Sequence, residues 1–215
     1  SINLISIAKI KSKYKIYIKI HKIKKYFYIK STFENDLKNL LAAVSVISIF
    51  INIEKLDENI FYNHQKVKGR GDIVKIKLFN KSINLVDESY NSNPLSLKLA
   101  LKNFDIIKVT NLKKHLILGD MLELGKYSKT LHAEIGKNIN KLSLRNVNVI
   151  GKDIETTYKM LNKSKRGAVI KNNRQIIDLI KNSLNNNDYL MIKGSNATGL
   201  NSLVSQIKMG KTNVL

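Results

Sequence analysis

Val86-Asp87-Glu88-Ser89-Tyr90-Asn91-Ser92-Asn93-Pro94 joins a strand-like run, Ser82-Ile83-Asn84-Leu85-Val86, to a helix-like run, Leu95-Ser96-Leu97-Lys98-Leu99-Ala100-Leu101. Asn93 is a good N-cap, and Pro94 fits the first helical position, where a missing N–H has no consequence. Between strand and helix the chain crowds two acids, a tyrosine, two asparagines and two serines. In open α/β sheets ligands bind outside the carboxyl ends of the strands. The same residue types favour turns for backbone reasons. Local chemistry alone therefore leaves a ligand site and a well-capped turn in equal standing.

Downstream of this turn, helical and strand-like runs alternate. The helix Pro94–Phe104 leads to a strand His115–Leu118, and the helix Lys126–Leu142 to a strand Asn148–Ile150. The helix Ile154–Leu161 leads to a strand Ala168–Ile170, and the helix Arg174–Leu184 to a strand Tyr189–Ile192. A last helix covers Leu200–Lys208. Such alternation predicts an α/β fold, a Rossmann-like, doubly wound and mostly parallel sheet. Upstream, Asp72–Phe79 and Ser82–Val86 read as a hairpin about Asn80-Lys81. Gly69-Arg70-Gly71 reads as a linker, which divides the chain into 1–68 and 69–215.

Residues 1–30 have a period of two: Tyr14, Ile16, Ile18 and Ile20 interleave with Lys15, Tyr17, Lys19 and His21. That pattern predicts two or three antiparallel strands with one Lys-rich, solvated face. Leu37, Leu40, Leu41, Val44 and Ile47 then recur at helical spacing and predict a helix from Asp36 to Phe50. A shorter helix is expected over Leu56–His64.

The 215 residues suffice for one large or two small domains, and a hydrophobic content of 43% belongs to a globular chain. There is no Cys, which excludes disulfides and Cys-ligated zinc and suits a reducing compartment. No apolar run is long enough for a spanning helix, and no signal-peptide pattern follows Ser1. A net charge of +22 ordinarily points to nucleic acid or an anionic surface. Yet all the basic residues except Arg70, Arg145, Arg166 and Arg174 are Lys. Abundant Lys, Asn and Ile together indicate compositional drift more than a binding footprint, which would mix in Arg and exposed aromatics.

Asp87-Glu88-Ser89-Tyr90-Asn91-Ser92-Asn93-Pro94 resembles the Asp-Asp-Ser-Tyr-Asn-Ala-Asn-Pro signature of the Mur ligases that add D-alanyl-D-alanine to the peptidoglycan precursor. Further matches stand in the same order as in that family. They are Asn39-Leu40-Leu41-Ala42-Ala43, Gly69-Arg70, Gly119-Asp120-Met121-Leu122-Glu123-Leu124-Gly125, His132-Ala133-Glu134-Ile135-Gly136 and Lys193-Gly194-Ser195. Residues 1–68 would then be the last part of an α/β central, ATP-binding domain and 69–215 the complete C-terminal domain. The phosphate loop Gly-x-x-x-x-Gly-Lys-Ser/Thr is absent. Gly210-Lys211-Thr212 imitates its end, but the position of the first glycine is held by Ser205.

The resemblance implies ATP-dependent amide formation through an acyl phosphate, with ATP and Mg²⁺ as cofactors and the metal ligands in a part not present here. It implies UDP-N-acetylmuramoyl-tripeptide and D-alanyl-D-alanine as substrates, and a monomeric cytoplasmic enzyme of bacteria that binds no nucleic acid. Without a phosphate loop these residues alone are expected to be inactive. Asn39 would contact adenine. Arg70 would reach ATP phosphate, a task suited to a planar multi-donor cation. Glu88, in place of the family's Asp, would contact the ribose hydroxyls, with Tyr90 and Asn91 along the nucleotide. Asn93, Lys193 and Ser195 would position the substrate, with Arg70 and Lys193 nearest the chemistry. His132, on an amphipathic helix, reads as structural, whereas turn formation explains Asp120 and Glu123 nearly as well as a functional role does. Two other readings compete: another amide ligase of the superfamily, such as a folylpolyglutamate synthase, and a basic nucleic-acid-binding module.

Overall fold

The computed structural model describes residues 2–63, 68–110, 113–144 and 146–211. The chain divides into two compact units, Ser1–Gln65 and Lys66–Leu215.

In the first unit, strands β1 (Ile2–Ile10), β2 (Lys13–Ile20) and β3 (Ile23–Ile29) form an antiparallel sheet in chain order. The alternation of the sequence becomes two chemical faces. Ile16, Ile18, Ile20, Phe27 and Ile29 are buried with Leu40 and Val44 of helix α1 (Glu34–Phe50). The other face is a ladder in which Tyr17 packs on Tyr26 and Tyr26 on Tyr28, each at 5.7 Å between ring centroids. The Lys13 and Lys15 ammonium groups lie 3.5 and 3.6 Å from the Tyr28 and Tyr26 rings. The face is thus Lys-rich as expected, but its lysines rest on aromatic rings, a cation–π arrangement.

Helix α1 begins at Glu34, two residues before the expected start, and its first turn carries Glu34 and Asp36, which suit a helix N-terminus. The expected helix over Leu56–His64 is shorter. A 3-10 turn spans Ile53–Lys55, and helix α2 covers only Ile60–Asn63; His64 lies outside the described residues. The reason is local. The Asn52 side chain accepts from Glu54 N at 3.0 Å, and Asp57 accepts from Asn59 N at 2.8 Å. Such side-chain bonds offer the backbone an alternative to a helix.

The second unit contains strands β4 (Asp72–Leu78), β5 (Lys81–Glu88), β6 (Lys114–Gly119), β7 (Asn146–Ile150), β8 (Arg166–Ile170) and β9 (Tyr189–Lys193). Its sheet has the order β4-β5-β9-β6-β7-β8, with β4 antiparallel to β5 and all other pairs parallel. The β4–β5 turn is centred on Phe79 and Asn80, which both have positive φ (50° and 60°), so Lys81 pairs with Leu78 instead of turning. Two central residues of positive φ make the turn whose twist matches a hairpin.

Helices α3 (Pro94–Asp105), α4 (Ser128–Asn140) and α5 (Glu155–Met160) connect the strands from β5 to β8, and α6 (Asn173–Ser183) leads to β9 and α7 (Leu200–Lys208). Consecutive strand residues feed opposite faces. Val86 and Met191 join a core with Leu97, Leu101 and Phe104 of α3 and Ile135 and Ile139 of α4. Leu85, Leu190 and Ile192 join a second core with Ile176 and Ile180 of α6 and Leu203 and Ile207 of α7. Burial on both faces is what a doubly wound sheet requires. Among the described residues no helix is long and apolar enough to cross a membrane.

Candidate functional site

The last strand in sequence, β9, is inserted between β5 and β6. The helix after β5 packs into one core and the helix after β9 into the other. Neighbouring strands whose connections leave to opposite faces open a crevice at their carboxyl ends. The register places Glu88, the last residue of β5, directly beside Lys193, the last residue of β9.

The Lys193 ammonium lies 3.4 Å from a Glu88 carboxylate oxygen and donates to the Asn91 carbonyl at 2.9 Å. Lys193 is only 2% exposed. Burial pushes the ammonium below the ordinary lysine value; Glu88 opposes that shift, and the positive charge of Arg70 adds to it. A buried cation is thus held between one carboxylate and one carbonyl, with a second cation near enough to act on it.

Arg70 reaches this place through the backbone on either side of it. Gly69 and Gly71 have φ of 79° and 87°. Tyr90 N donates to the Gly69 carbonyl at 3.1 Å, and Gly71 N to the Asp87 carbonyl at 2.8 Å. A Cβ at Gly69 would lie 2.9 Å from Tyr90 N, and one at Gly71 would lie 3.0 Å from a Glu88 carboxylate oxygen. Both glycines therefore allow the segment to lie flat against the turn that follows β5. The Arg70 guanidinium carbon stands 4.6 Å from the centre of the Tyr90 ring. Arg70, Glu88, Tyr90, Asn91 and Lys193 are thus brought together.

The other expected site residues have different situations. Asn93 caps α3: its side chain accepts from Ser96 N at 2.8 Å, and Ser96 Oγ accepts from Asn93 N at 3.1 Å. Ser195 is buried; its hydroxyl donates to the Ser92 carbonyl at 3.1 Å and accepts from Leu122 N at 2.9 Å. It pins the β9, β5 and β6 loops to one another beside the crevice. Asn39 is exposed on α1 in the first unit. Asp120 accepts from Ile154 N at 2.7 Å and Lys152 N at 3.2 Å, which binds the end of β6 to the loop before α5. His132 is buried, with Nε2 accepting from Met121 N at 3.2 Å and Nδ1 bonded to the Ser128 carbonyl at 2.8 Å. Both residues shape the loop after β6.

Ser92 is buried with no hydrogen-bond partner for its hydroxyl. The signature that this stretch resembles has Ala there. Ser92→Ala should therefore stabilise the protein by about 1 kcal/mol, the usual scale for an unsatisfied buried hydroxyl. Thermal melting decides this; an unchanged or lower midpoint would mean that the hydroxyl does find a partner.

Sequence reading passed over Asp72 and Lys208. The Lys208 ammonium, on α7, bonds to the carboxylates of both Asp72 and Asp87, the latter at 2.6 Å. No local motif marks it. Among the described residues no group of three or more His, Asp or Glu side chains is placed to hold a metal ion.

Residues 69–196 match the Mur ligase, glutamate ligase domain family. The match covers more than half of the chain, and the chain belongs to this family. Its curated relatives include the UDP-N-acetylmuramoyl-tripeptide–D-alanyl-D-alanine ligases of Rickettsia prowazekii and Bacillus subtilis. The first is 27% identical over 177 residues, 82% of this chain and 37% of that ligase. The second is 26% identical over 190 residues, 86% of this chain and 40% of that ligase. The chain therefore spans well under half the length of these relatives. Among solved structures, a MurF ligase from Thermotoga maritima in complex with ADP superposes with a TM-score of 0.76 at 18% identity, covering 98% of this chain and 46% of that one. A MurF from Acinetobacter baumannii gives 0.75 at 18% identity over 97% of this chain and 45% of that one. Those likenesses show the same fold. The comparisons favour neither of the competing readings.

Proposed function

We propose that this chain is the carboxyl-terminal part of an ATP-dependent ligase that joins D-alanyl-D-alanine to UDP-N-acetylmuramoyl-tripeptide in the cytoplasm of a bacterium. The observation that carries the reading is the Glu88–Lys193 pair at the switch point, flanked by Arg70, in a chain 26–29% identical to ligases of that name. Residues 1–68 are the end of the ATP-binding domain in this reading, and 69–215 the domain that closes over the nucleotide.

The donor set suits a nucleotide. A guanidinium that carries two exposed edges matches phosphate oxygens. A carboxylate at the end of the neighbouring strand matches the two hydroxyls of a ribose. The exposed flank of Tyr90, stacked on Arg70, offers an apolar surface beside them. Bound ATP supplies the phosphoryl group that turns the tripeptide carboxylate into an acyl phosphate. What this chain contributes is position and charge, the larger part of catalysis in phosphoryl transfer. Arg70 neutralises phosphate, Glu88 holds the sugar, and Tyr90 and Asn91 line the nucleotide. Lys193 keeps a positive charge at the inner end of the crevice, where a carboxylate of the dipeptide or the reacting groups would sit. Asn93 and Ser195 hold the walls, and the resemblance assigns Asn39 a base contact. In this reading the ligands of Mg²⁺ belong to the part of the ligase outside this chain.

The test is the ligase expressed from its full reading frame. Phosphate release from ATP should require both UDP-N-acetylmuramoyl-tripeptide and D-alanyl-D-alanine together. Release that is indifferent to D-alanyl-D-alanine, or that is supported instead by glutamate, would refute the assignment.

A further inference from the structure

We infer that Lys208 is a positioning residue for the crevice: one ammonium holds the Arg70 segment and the Glu88–Tyr90 turn at fixed distance from each other. The inference rests on the nucleotide reading of that crevice for its consequence, though not for its geometry.

Lys208 lies in the last turn of α7, beyond the residues 69–196 that match the family. Its neighbour Ile207 is buried in the core with Leu200, Leu203 and Val204, so the helix that carries Lys208 is fixed against the sheet. The Lys208 side chain is only 21% exposed, and its ammonium bonds to two carboxylates that belong to different segments. Each carboxylate in turn receives backbone N–H groups with its other oxygen. Asp72 Oδ1 accepts from Gly69 N at 3.0 Å. Asp87 Oδ1 accepts from Ser89 N at 3.0 Å and from Ser89 Oγ at 2.6 Å. One relay thus runs from Lys208 through Asp72 to the residue before Arg70. The other runs through Asp87 to the residue between Glu88 and Tyr90. Asp72 and Asp87 are also direct partners in the β4–β5 register. Without a cation between them, two carboxylates facing each other across a strand pair repel. Charge-assisted bonds of this kind are short and directional, which suits them to holding a backbone in place.

Hydrogen exchange on the 215-residue chain tests the geometry. In Lys208→Met the amides of Gly69, Ser89 and Tyr90 should exchange about tenfold faster, while those of β7 keep their rates. Lys208→Arg, which retains the charge and can bridge both carboxylates, should restore them. Ile207→Ala is the control for plain loss of packing, and should raise exchange across α7 and its neighbouring strands without singling out those three amides. The consequence is read in the complete ligase, with MgADP as the probe. Lys208→Met should weaken its binding several-fold, and Lys208→Arg should recover it. Three results overturn the inference: the three amides respond no more than β7, Ile207→Ala reproduces their pattern, or exchange rises while MgADP affinity stays the same. A complete wild-type ligase that binds MgADP without contact to Arg70, Glu88 and Tyr90 speaks against the nucleotide reading of this crevice. In that case the exchange pattern still decides whether Lys208 holds the two segments.

Discussion

Glu88→Ala should destabilise the protein by about 3 kcal/mol, whereas Lys193→Met, at the other end of the same ion pair, should cost under about 1 kcal/mol. The asymmetry follows from burial. Lys193 is 2% exposed, so its charge depends on what surrounds it. Removing the carboxylate leaves the ammonium bonded to the Asn91 carbonyl, without its counter-charge and with the field of Arg70 against it. Removing the ammonium leaves Glu88, whose side chain is 17% exposed and can turn to water. A methionine fills much the same space without a charge. In the double variant the loss should fall to that of Lys193→Met, a coupling of about 3 kcal/mol, which chemical denaturation resolves.

The pH dependence of stability carries the same signature. The folded Lys193 value lies below 10.5, so between the two values the unfolded chain binds more protons and stability rises with pH. In Glu88→Ala the folded value falls further and this window widens toward neutral pH; in Lys193→Met the rise disappears. Equal losses for the two single variants, with no change in the alkaline limb, would show that the pair is not what stabilises the crevice.

The fold was legible because hydrophobic spacing fixes which side of an element is buried. Ile83 and Leu85 against Val86, and Leu190 and Ile192 against Met191, already contain the two cores of the sheet. Expected strand and helix ends agree with the structure where a cap or a glycine marks them, as at Asn93-Pro94. They fail where side chains bond to nearby backbone, as at Asn52 and Asp57, or where a hairpin takes its turn one residue early, at Phe79-Asn80.

The site was legible by a different route. Glu88 and Lys193 are 105 positions apart, and they meet only because β9 enters the sheet beside β5. No local pattern in either segment specifies that order of strands; the ordered set of motifs named both residues, and the register alone pairs them. Lys208 had neither kind of signal. It follows an apolar helix stripe as an ordinary surface lysine would, in a chain where lysine is abundant. Only the positions of Asp72 and Asp87 distinguish it from the others.

In the complete ligase, Arg70→Ala should lower turnover about 100-fold, with a much smaller change in the stability of the chain. Arg70 is exposed and lies against the Tyr90 ring, at the rim of the crevice and outside both cores of the sheet. Yet two glycines with positive φ press the Arg70 segment against Tyr90 and Glu88, at distances that exclude a Cβ on either side. A conformation so restrictive around an exposed cation is explained by what the cation faces. Phosphate oxygens gain charge as the phosphoryl group moves, and a fixed cation stabilises that charge most in a crevice from which water is excluded. Arg70→Lys should recover little of the activity, because an ammonium cannot present two parallel donors or stack on Tyr90 in the same way. Glu88→Ala should act differently, raising the KM for ATP more than it lowers kcat, since a ribose contact is made equally in the ground and transition states. Steady-state rates at varied ATP separate the two effects. If Arg70→Ala instead raises only the KM for ATP, the arginine serves binding alone; if turnover is untouched, the crevice between β5 and β9 does not hold the nucleotide.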